Sequence, residues 1–161
     1  MCIEYLRSEV VSFLAYHDLF SFSLDERMSY LYENGLIDEQ SSNISKKQIF
    51  NNDVFDGHRA SSLFRNKHLE NRVKAITGRG VKIIDYLDEC ITGVSCVSCG
   101  FVVFENHEDS IFELCPVCGW QSDSMDTNGY SKLNDSHLTS YRNEFACKNV
   151  LSKYEDVYVR K

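Results

Sequence analysis

The chain has 161 residues, of which 43% are hydrophobic and 25% charged, and its formal net charge is -7. These proportions are ordinary for a soluble globular protein, and they exclude collagen-like, low-complexity and intrinsically disordered chains. No apolar run approaches the ~20 residues that a membrane-spanning helix requires. Residues 1–20 are amphipathic and lack the apolar centre of a signal peptide, so we expect a cytoplasmic protein.

The first part of the sequence carries the apolar periodicity of helices. Residues 3–17 repeat apolar side chains at three- and four-residue steps, which predicts a first helix. Ser23-Leu24-Asp25-Glu26 is a capping box, and it predicts the start of a second helix that Gly35 ends. Further helices are predicted over residues 57–65, 67–77 and 81–90.

The remaining sequence alternates short apolar runs with turn signals. Residues 101–104 are β-branched and aromatic, which predicts a strand, and residues 111–114 predict the strand that returns after a turn at 106–109. A last helix is predicted from Asp135 or Ser136, because an apolar stripe at helical spacing follows. Residues 154–159 alternate and predict a final strand.

Four of the seven cysteines form two Cys-x-x-Cys-Gly motifs. We call these the first knuckle, Cys96-Val97-Ser98-Cys99-Gly100, and the second knuckle, Cys115-Pro116-Val117-Cys118-Gly119. Their spacing, C-x2-C-x15-C-x2-C, is typical of a structural zinc site with four thiolates and no open position. Glycine after each pair suits a turn with positive φ. The sequence therefore predicts one structural Zn2+ bound by Cys96, Cys99, Cys115 and Cys118.

Buried thiols, disulfides and iron are the alternatives to zinc at these cysteines. A cytosolic chain keeps its thiols reduced, which disfavours disulfides, and zinc is the commoner occupant of a four-sulfur site. The three other cysteines, Cys2, Cys90 and Cys147, each lack a second Cys-x-x-Cys partner. We expect them to be small buried thiols.

Together these patterns predict an α+β fold with two regions. Residues 1–92 form a helical region, which packs on a zinc-ribbon-like region with a C-terminal helix over residues 93–161. A sheet this small cannot hold itself together by burial alone. The metal is therefore expected to supply much of the folding free energy of the second region.

Acidic residues are concentrated around the predicted ribbon. Between residues 101 and 131 there are six acids and no Lys or Arg. An acidic surface repels nucleic acid phosphates and attracts a cationic partner, although a merely solvated face is the alternative interpretation. Basic residues predominate over 56–82, and we interpret them as a solvated helix face, because aromatic residues do not alternate with them.

Motifs of the common catalytic sites are absent from the sequence. There is no Gly-rich phosphate loop, no Gly-x-Ser-x-Gly and no His-Glu-x-x-His. We therefore predict a protein that is not an enzyme and that acts by binding.

The second knuckle and the residues after it resemble the bacterial cysteine-rich CPCC family. Its members carry Cys-Pro-Cys-Cys-Gly, then Cys-Pro-Val-Cys followed by Trp and acidic residues, and then a helix with a Leu, Arg and Phe pattern. Residues 115–123 match the second motif, and Leu138, Arg142 and Phe145 match the helix.

The resemblance extends beyond this half of the chain but is weaker there. Residues 23–27 and 80–87 are similar to elements of the family. The first knuckle departs from the family pattern, because Val97 stands in place of the proline and Ser98 in place of the middle cysteine. Both metal-ligand positions of that knuckle are retained.

The resemblance implies an immunity protein, since genes of such proteins often stand beside those of polymorphic or contact-dependent growth inhibition toxins. Such a protein binds and neutralises a cognate toxin domain, and a nuclease toxin needs a basic surface to hold phosphate. The alternative is a zinc-ribbon nucleic-acid-binding or transcription accessory protein. The predicted partner contacts are Glu105, Glu108, Asp109, Trp120, Asp123 and Asp126, with Phe101 as a further apolar anchor.

Overall fold

The computed structural model describes residues 2–111, 113–122, 129–147 and 151–161, with the backbone alone for 145–147. The described chain combines helices with three two-stranded sheets, which confirms the predicted α+β class. It divides into two compact units. Unit 1 comprises Met1–Ala60 and Arg72–Asp85, and unit 2 comprises Ser61–Asn71 and Tyr86–Lys161.

These units do not coincide with the predicted regions, 1–92 and 93–161. Unit 2 includes two segments, 61–71 and 86–92, that the sequence pattern placed in the helical region. Hydrogen bonds join the two segments, because Asn66 donates its amide N–H to Asp88 over 2.8 Å and its side-chain Nδ2 to the Tyr86 carbonyl over 2.6 Å. Contacts between residues so far apart in the sequence leave no local periodicity.

Unit 1 contains most of the helices. In chain order its elements are β1 (Ile3–Tyr5), α1 (Arg7–Ser21), α2 (Leu24–Glu33), α3 (Ser42–Ser45), α4 (Asn51–Gly57), α5 (Asn66–Thr77) and β2 (Val81–Ile83). The first six residues of α5 belong to unit 2 and the rest to unit 1. The interior of unit 1 includes Leu31, Ile37 and Val54, which are at most 7% exposed.

Two helix predictions in unit 1 are corrected by a parallel strand pair. The helix predicted over 3–17 begins at Arg7, and β1 precedes it. Glu9 fixes this start, because its Oε2 accepts the amide N–H of Leu6 over 2.8 Å. The helix predicted over 81–90 is wrong, since β2 pairs with β1 and a 3-10 turn covers Asp88–Cys90. Val81 and Ile83 belong instead to a strand whose partner lies almost eighty positions earlier.

The local signals for α2 and α5 are confirmed. Ser23 Oγ accepts the amide N–H of Glu26 over 3.2 Å, and Glu26 accepts the amide N–H of Ser23 in return. The hydroxyl of Ser23 also donates to the Glu26 carboxylate over 2.7 Å, and this bond together with the one from the Ser23 amide lowers the pKa of Glu26. The predicted helix over 67–77 is α5, and Gly78, with φ +72°, follows it. The helix predicted over 57–65 is wrong, because α4 ends at Gly57.

Unit 2 is built from short elements around the cysteines. In chain order they are β3 (Val94–Ser95), β4 (Val102–Phe104), α6 (His107–Ser110), β5 (Tyr130–Ser131), β6 (Ser136–His137), α7 (Leu138–Cys147) and α8 (Leu151–Tyr154). Helix α7 is the predicted last helix. In the part of the chain that the structure describes, no helix is both long and apolar enough to cross a membrane.

The predicted hairpin of residues 101–104 and 111–114 is wrong for the residues described. Strand β4 instead pairs antiparallel with β3, so that the two strands flank the first knuckle. Leu114 forms a bridge with Gln121, which flanks the second knuckle in the same way. The predicted turn is the short helix α6, which Asn106 caps by accepting the amide N–H of Asp109 over 2.9 Å. Residue 112 of the predicted returning strand lies outside the described residues.

Residues 157–161, which we call the strap, correspond to the end of the predicted final strand. The strap runs between two distant segments, with antiparallel bridges from Tyr158 to Phe64 and from Arg160 to Phe101. Helix α8 occupies the start of the predicted strand, up to Tyr154. The strap thus links Phe64, in the first segment of unit 2, to Phe101, which directly follows the first knuckle.

Candidate metal centre

The first knuckle is a tight turn closed by two backbone hydrogen bonds. The amide N–H of Cys96 donates to the carbonyl oxygen of Phe101 over 2.8 Å. The amide N–H of Gly100 donates back to the carbonyl oxygen of Cys96 over 2.9 Å. This arrangement leaves the side chains of Cys96 and Cys99 on the inside, where they are 3% and 4% exposed.

The second knuckle repeats the same pair of hydrogen bonds. Cys115 donates its amide N–H to the carbonyl of Trp120 over 2.9 Å, and Gly119 donates to the carbonyl of Cys115 over 2.8 Å. Cys115 and Cys118 are 2% and 6% exposed. Two copies of one turn therefore present two pairs of buried thiols.

The glycine that closes each knuckle has a backbone conformation that other residues rarely adopt. Gly100 has φ +78° and Gly119 has φ +76°. We expect Gly119→Ala to destabilise the protein by about 1–2 kcal/mol, because a Cβ disfavours this conformation. Gly100→Ala should cost more, since its Cβ would also lie 3.1 Å from the carbonyl oxygen of Lys161. Chemical unfolding of the metal-loaded variants measures both changes.

Gly35→Ala is the matched control for these two substitutions. Gly35 has φ +67° and no atom within 4 Å of the added Cβ, so it reports the backbone term alone. Equal losses for Gly100→Ala and Gly35→Ala would contradict the role assigned to the Lys161 contact.

The four sulfur atoms come together at one point. All four lie within 4.8 Å of one another. The Sγ atoms of Cys96 and Cys118 are 3.6 Å apart, and those of Cys99 and Cys115 are 3.7 Å apart. A tetrahedron with metal–sulfur bonds of about 2.3 Å has edges of about 3.8 Å. The donor set and its spacing therefore fit a tetrahedral metal ion, and they are compatible with zinc.

Electrostatics among the sulfurs favour a cation between them. Hydrogen bonds lower the pKa of Cys118 and Cys96, chiefly through the Cys115 thiol. They raise the pKa of Cys99, again chiefly through Cys115, and that of Cys115, chiefly through Cys118. Burial raises the pKa of all four thiols, because it disfavours the charged form. Because burial and mutual repulsion both disfavour four thiolates at this spacing, a cation between them would offset their charge.

Ser98 contributes a further donor to the site. Its amide N–H donates to Cys96 Sγ over 3.4 Å. Its hydroxyl oxygen is buried and, among the described residues, has no hydrogen-bond partner. A buried hydroxyl donor between two ligand positions suits electron-rich metal thiolates, which accept such bonds.

The predicted apolar partner contacts are corrected by their burial. Trp120 is 5% exposed and stacks edge-on against Tyr141, with ring centroids 5.0 Å apart. Phe101 is 0% exposed. Both belong to the hydrophobic cluster that surrounds the cysteines. They hold the metal site in place and do not present a surface to a partner.

Three side chains bind the outer carbonyls of the knuckles, and the sequence interpretation did not identify them as parts of the site. The hydroxyl of Tyr141 donates to the Cys118 carbonyl over 2.5 Å. Arg142 Nε donates to the Val97 carbonyl over 3.0 Å. Arg160 Nε donates to the carbonyl oxygen of Cys99 over 3.1 Å. Of the three, the sequence analysis named only Arg142, as part of the helix pattern similar to that of the CPCC family.

The predicted acidic contacts differ in their surroundings. Glu105 and Glu108 are exposed, and Glu105 accepts the hydroxyl of Ser62 over 3.1 Å. Asp109 is half-buried, and its carboxylate accepts Nδ2 of Asn106 over 2.7 Å. Asp123 and Asp126 lie outside the described residues.

Several basic residues of the middle third are paired with acids inside their own units. These pairs remove much of the positive surface that nucleic acid binding would require. They are Arg65 with Asp88 at 2.8 Å, Arg72 with Asp18 at 3.1 Å and Lys67 with Asp156 at 3.4 Å.

The expectation for the remaining cysteines is corrected. Cys2 and Cys90 are exposed free thiols, not buried ones. The side chain of Cys147 lies outside the described residues.

Comparison with known families gives a match to part of the chain. Residues 94–154 match the model of the family described as Cysteine-rich CPCC. This stretch includes both knuckles, α7 and α8, and it ends before the strap. No curated protein and no solved structure matches the chain. The match and the four clustered sulfurs together define a cysteine-rich domain with a site suited to metal binding.

Proposed function

We propose that this is an immunity protein, which binds and neutralises a cognate toxin domain in the cytoplasm of the producing bacterium. One zinc ion is bound by the four cysteines, where it stabilises the fold and takes no part in chemistry. The partner is a protein with a basic surface, and a nuclease toxin is the class that fits best. The proposal includes no catalytic step.

The zinc part of the proposal is supported by the geometry of the sulfurs. Four buried thiols at tetrahedral spacing complete the coordination shell of the ion, so no position is left for a substrate or water. Soft thiolate ligands select zinc or iron–sulfur centres over the harder cations. A closed shell favours a structural ion, and the short strands of unit 2 need one.

The observation that carries the toxin-binding proposal is the exposed acidic surface beside this site. Glu105 follows β4, and Glu108 lies on α6, which contacts β4. Both side chains are exposed, in a stretch of 31 residues, 101–131, without Lys or Arg. A nuclease must hold phosphate with a basic surface, and an acidic inhibitor meets such a surface with complementary charge.

Charge reversal tests the proposed surface. We expect the double variant Glu105→Lys and Glu108→Lys to bind the toxin domain encoded beside its gene at least about tenfold more slowly, because electrostatic steering is lost. Stopped-flow or surface-plasmon measurements at two salt concentrations give the association rate. The salt dependence of that rate should fall as well.

Glu33→Lys with Glu39→Lys is the matched control, since both residues are exposed acids of unit 1. It makes the same change in net charge in the other unit, so its association rate should remain close to that of the parent. Absence of any complex with the toxin, together with no rescue of poisoned cells, would remove the proposal. Salt-sensitive binding to DNA or RNA instead would favour the nucleic-acid-binding alternative.

A further inference from the structure

The first knuckle is held from outside by the strap. Lys161 donates its amide N–H to the carbonyl oxygen of Gly100 over 3.0 Å. The amide N–H of Val102 donates to the carbonyl of Val159 over 2.9 Å. These two bonds flank the Phe101–Arg160 bridge, so the strap lies beside the chain where it leaves the knuckle and enters β4.

The side chain of Arg160 adds a second kind of contact. Its Nε donates to the Cys99 carbonyl over 3.1 Å, and its guanidinium lies 5.7 Å from the centre of the Phe101 ring. The carbonyl that it binds belongs to the peptide between a metal ligand and the glycine with positive φ. Arg160 therefore fixes the peptide on which the turn depends, and it places a positive charge beside the site.

The two knuckles differ in what else restrains them. The second knuckle contains Pro116, whose ring fixes one backbone angle before the metal binds. The first knuckle has Val97 at that position, which leaves more conformations available to the open turn. Proline restrains the second knuckle from within. In the first knuckle, contacts from other segments of the chain supply the corresponding restraint.

We propose that the strap, and Arg160 in particular, is a positioning device that sets how tightly the first knuckle retains the metal. Its hydrogen bonds hold the peptides on both sides of Gly100, since Arg160 binds the Cys99 carbonyl and Lys161 the Gly100 carbonyl. The guanidinium charge offsets part of the charge of about -2 that four thiolates and Zn2+ carry. The strap lies beyond the stretch that matches the family model, which ends at residue 154. This proposal rests on the metal site of the proposed function and does not depend on toxin binding.

Zinc transfer from the full-length, zinc-loaded protein to a chromogenic chelator tests the charge and the side-chain bond. We expect Arg160→Gln to release zinc about tenfold faster, as changes in outer contacts of metal ligands typically do. Arg160→Lys keeps the positive charge and a hydrogen-bond donor, so its rate of zinc release should lie between those of the parent protein and Arg160→Gln. Arg59→Gln is the control, because Arg59 is an exposed arginine of unit 1.

The backbone bond of the strap is tested by a matched pair of variants at one position. Lys161→Pro removes the amide N–H that Gly100 accepts, whereas Lys161→Ala keeps it. We expect Lys161→Pro to release zinc roughly fivefold faster than Lys161→Ala, as the loss of one hydrogen bond predicts. In the Co2+-loaded proteins, Lys161→Pro and Arg160→Gln should also shift the visible absorption bands, which report the geometry around the metal.

Unchanged stability of the fold is verified first in each variant, through the fluorescence of Trp120, which is the one tryptophan in the chain. The proposal is overturned if either comparison, Arg160→Gln with Arg59→Gln or Lys161→Pro with Lys161→Ala, differs by less than about twofold. Failure of toxin binding would leave these rates as they are, so the two proposals fail separately.

Discussion

Cys115→Ser is expected to abolish tight metal binding and to unfold unit 2. Cys115 is 2% exposed, and its sulfur lies 3.7 Å from that of Cys99. Serine provides a hard and weakly acidic hydroxyl in place of a thiolate, so only three ligands of the required kind remain. Zinc binding contributes roughly 10–16 kcal/mol to small four-ligand domains, which is as large as the whole stability of a typical domain.

Metal content and tertiary structure measure this result independently. Elemental analysis of the purified variant should find little zinc, and near-ultraviolet circular dichroism should lose the signal of Trp120, which packs beside the site. Cys90→Ser is the control, because Cys90 is an exposed thiol of the same unit, outside the cluster. A Cys115→Ser protein that retained both a stoichiometric metal ion and native circular dichroism would contradict the assignment of the site.

Phe101→Ala is expected to lower the free energy of unfolding of unit 2 by about 3–5 kcal/mol. The side chain is fully buried, in the cluster that contains all four cysteines. Its removal leaves a cavity beside the first knuckle, where the surrounding backbone is fixed by hydrogen bonds and cannot collapse. Denaturant unfolding followed by the fluorescence of Trp120 gives the value for this unit.

Phe20→Ala makes the same chemical change at a site of opposite burial. Phe20 is 81% exposed, so the substitution should change the free energy of unfolding by less than about 0.5 kcal/mol. A loss below about 1 kcal/mol for Phe101→Ala would show that the ring does not support the site. A loss of toxin binding at unchanged stability would restore Phe101 as a partner contact.

Signals that act within a few residues predicted their structures well. The capping box at Ser23 and the knuckle turns each depend on hydrogen bonds within six residues, and each was visible in the sequence. The two Cys-x-x-Cys-Gly motifs identified the four sulfurs that the structure brings together. Ligand chemistry restricts both residue type and spacing, which is why such a site can be recognised without a fold.

Features that depend on distant partners were not predictable from the same patterns. Strand β2 has the apolar residues of a helix face, and only its pairing with β1 decides that it is a strand. A strand was predicted over 101–104 and is found over Val102–Phe104, but which strand lies beside it is decided by the turn of the knuckle. Trp120 follows a cysteine pair in a polar stretch. Nothing in the neighbouring sequence shows whether such a tryptophan is buried in the core or exposed to a partner.

The path of the strap has a consequence for the order in which the protein can fold during synthesis. The ribosome adds Phe64 about 5–20 s before its bridge partner Tyr158, and all four cysteines also precede the strap in the chain. Until then a nascent chain can bind metal only through knuckles that lack their outer restraint. If the proposed role of the strap is correct, zinc captured at that stage exchanges faster than it does once residues 157–161 have joined the first knuckle.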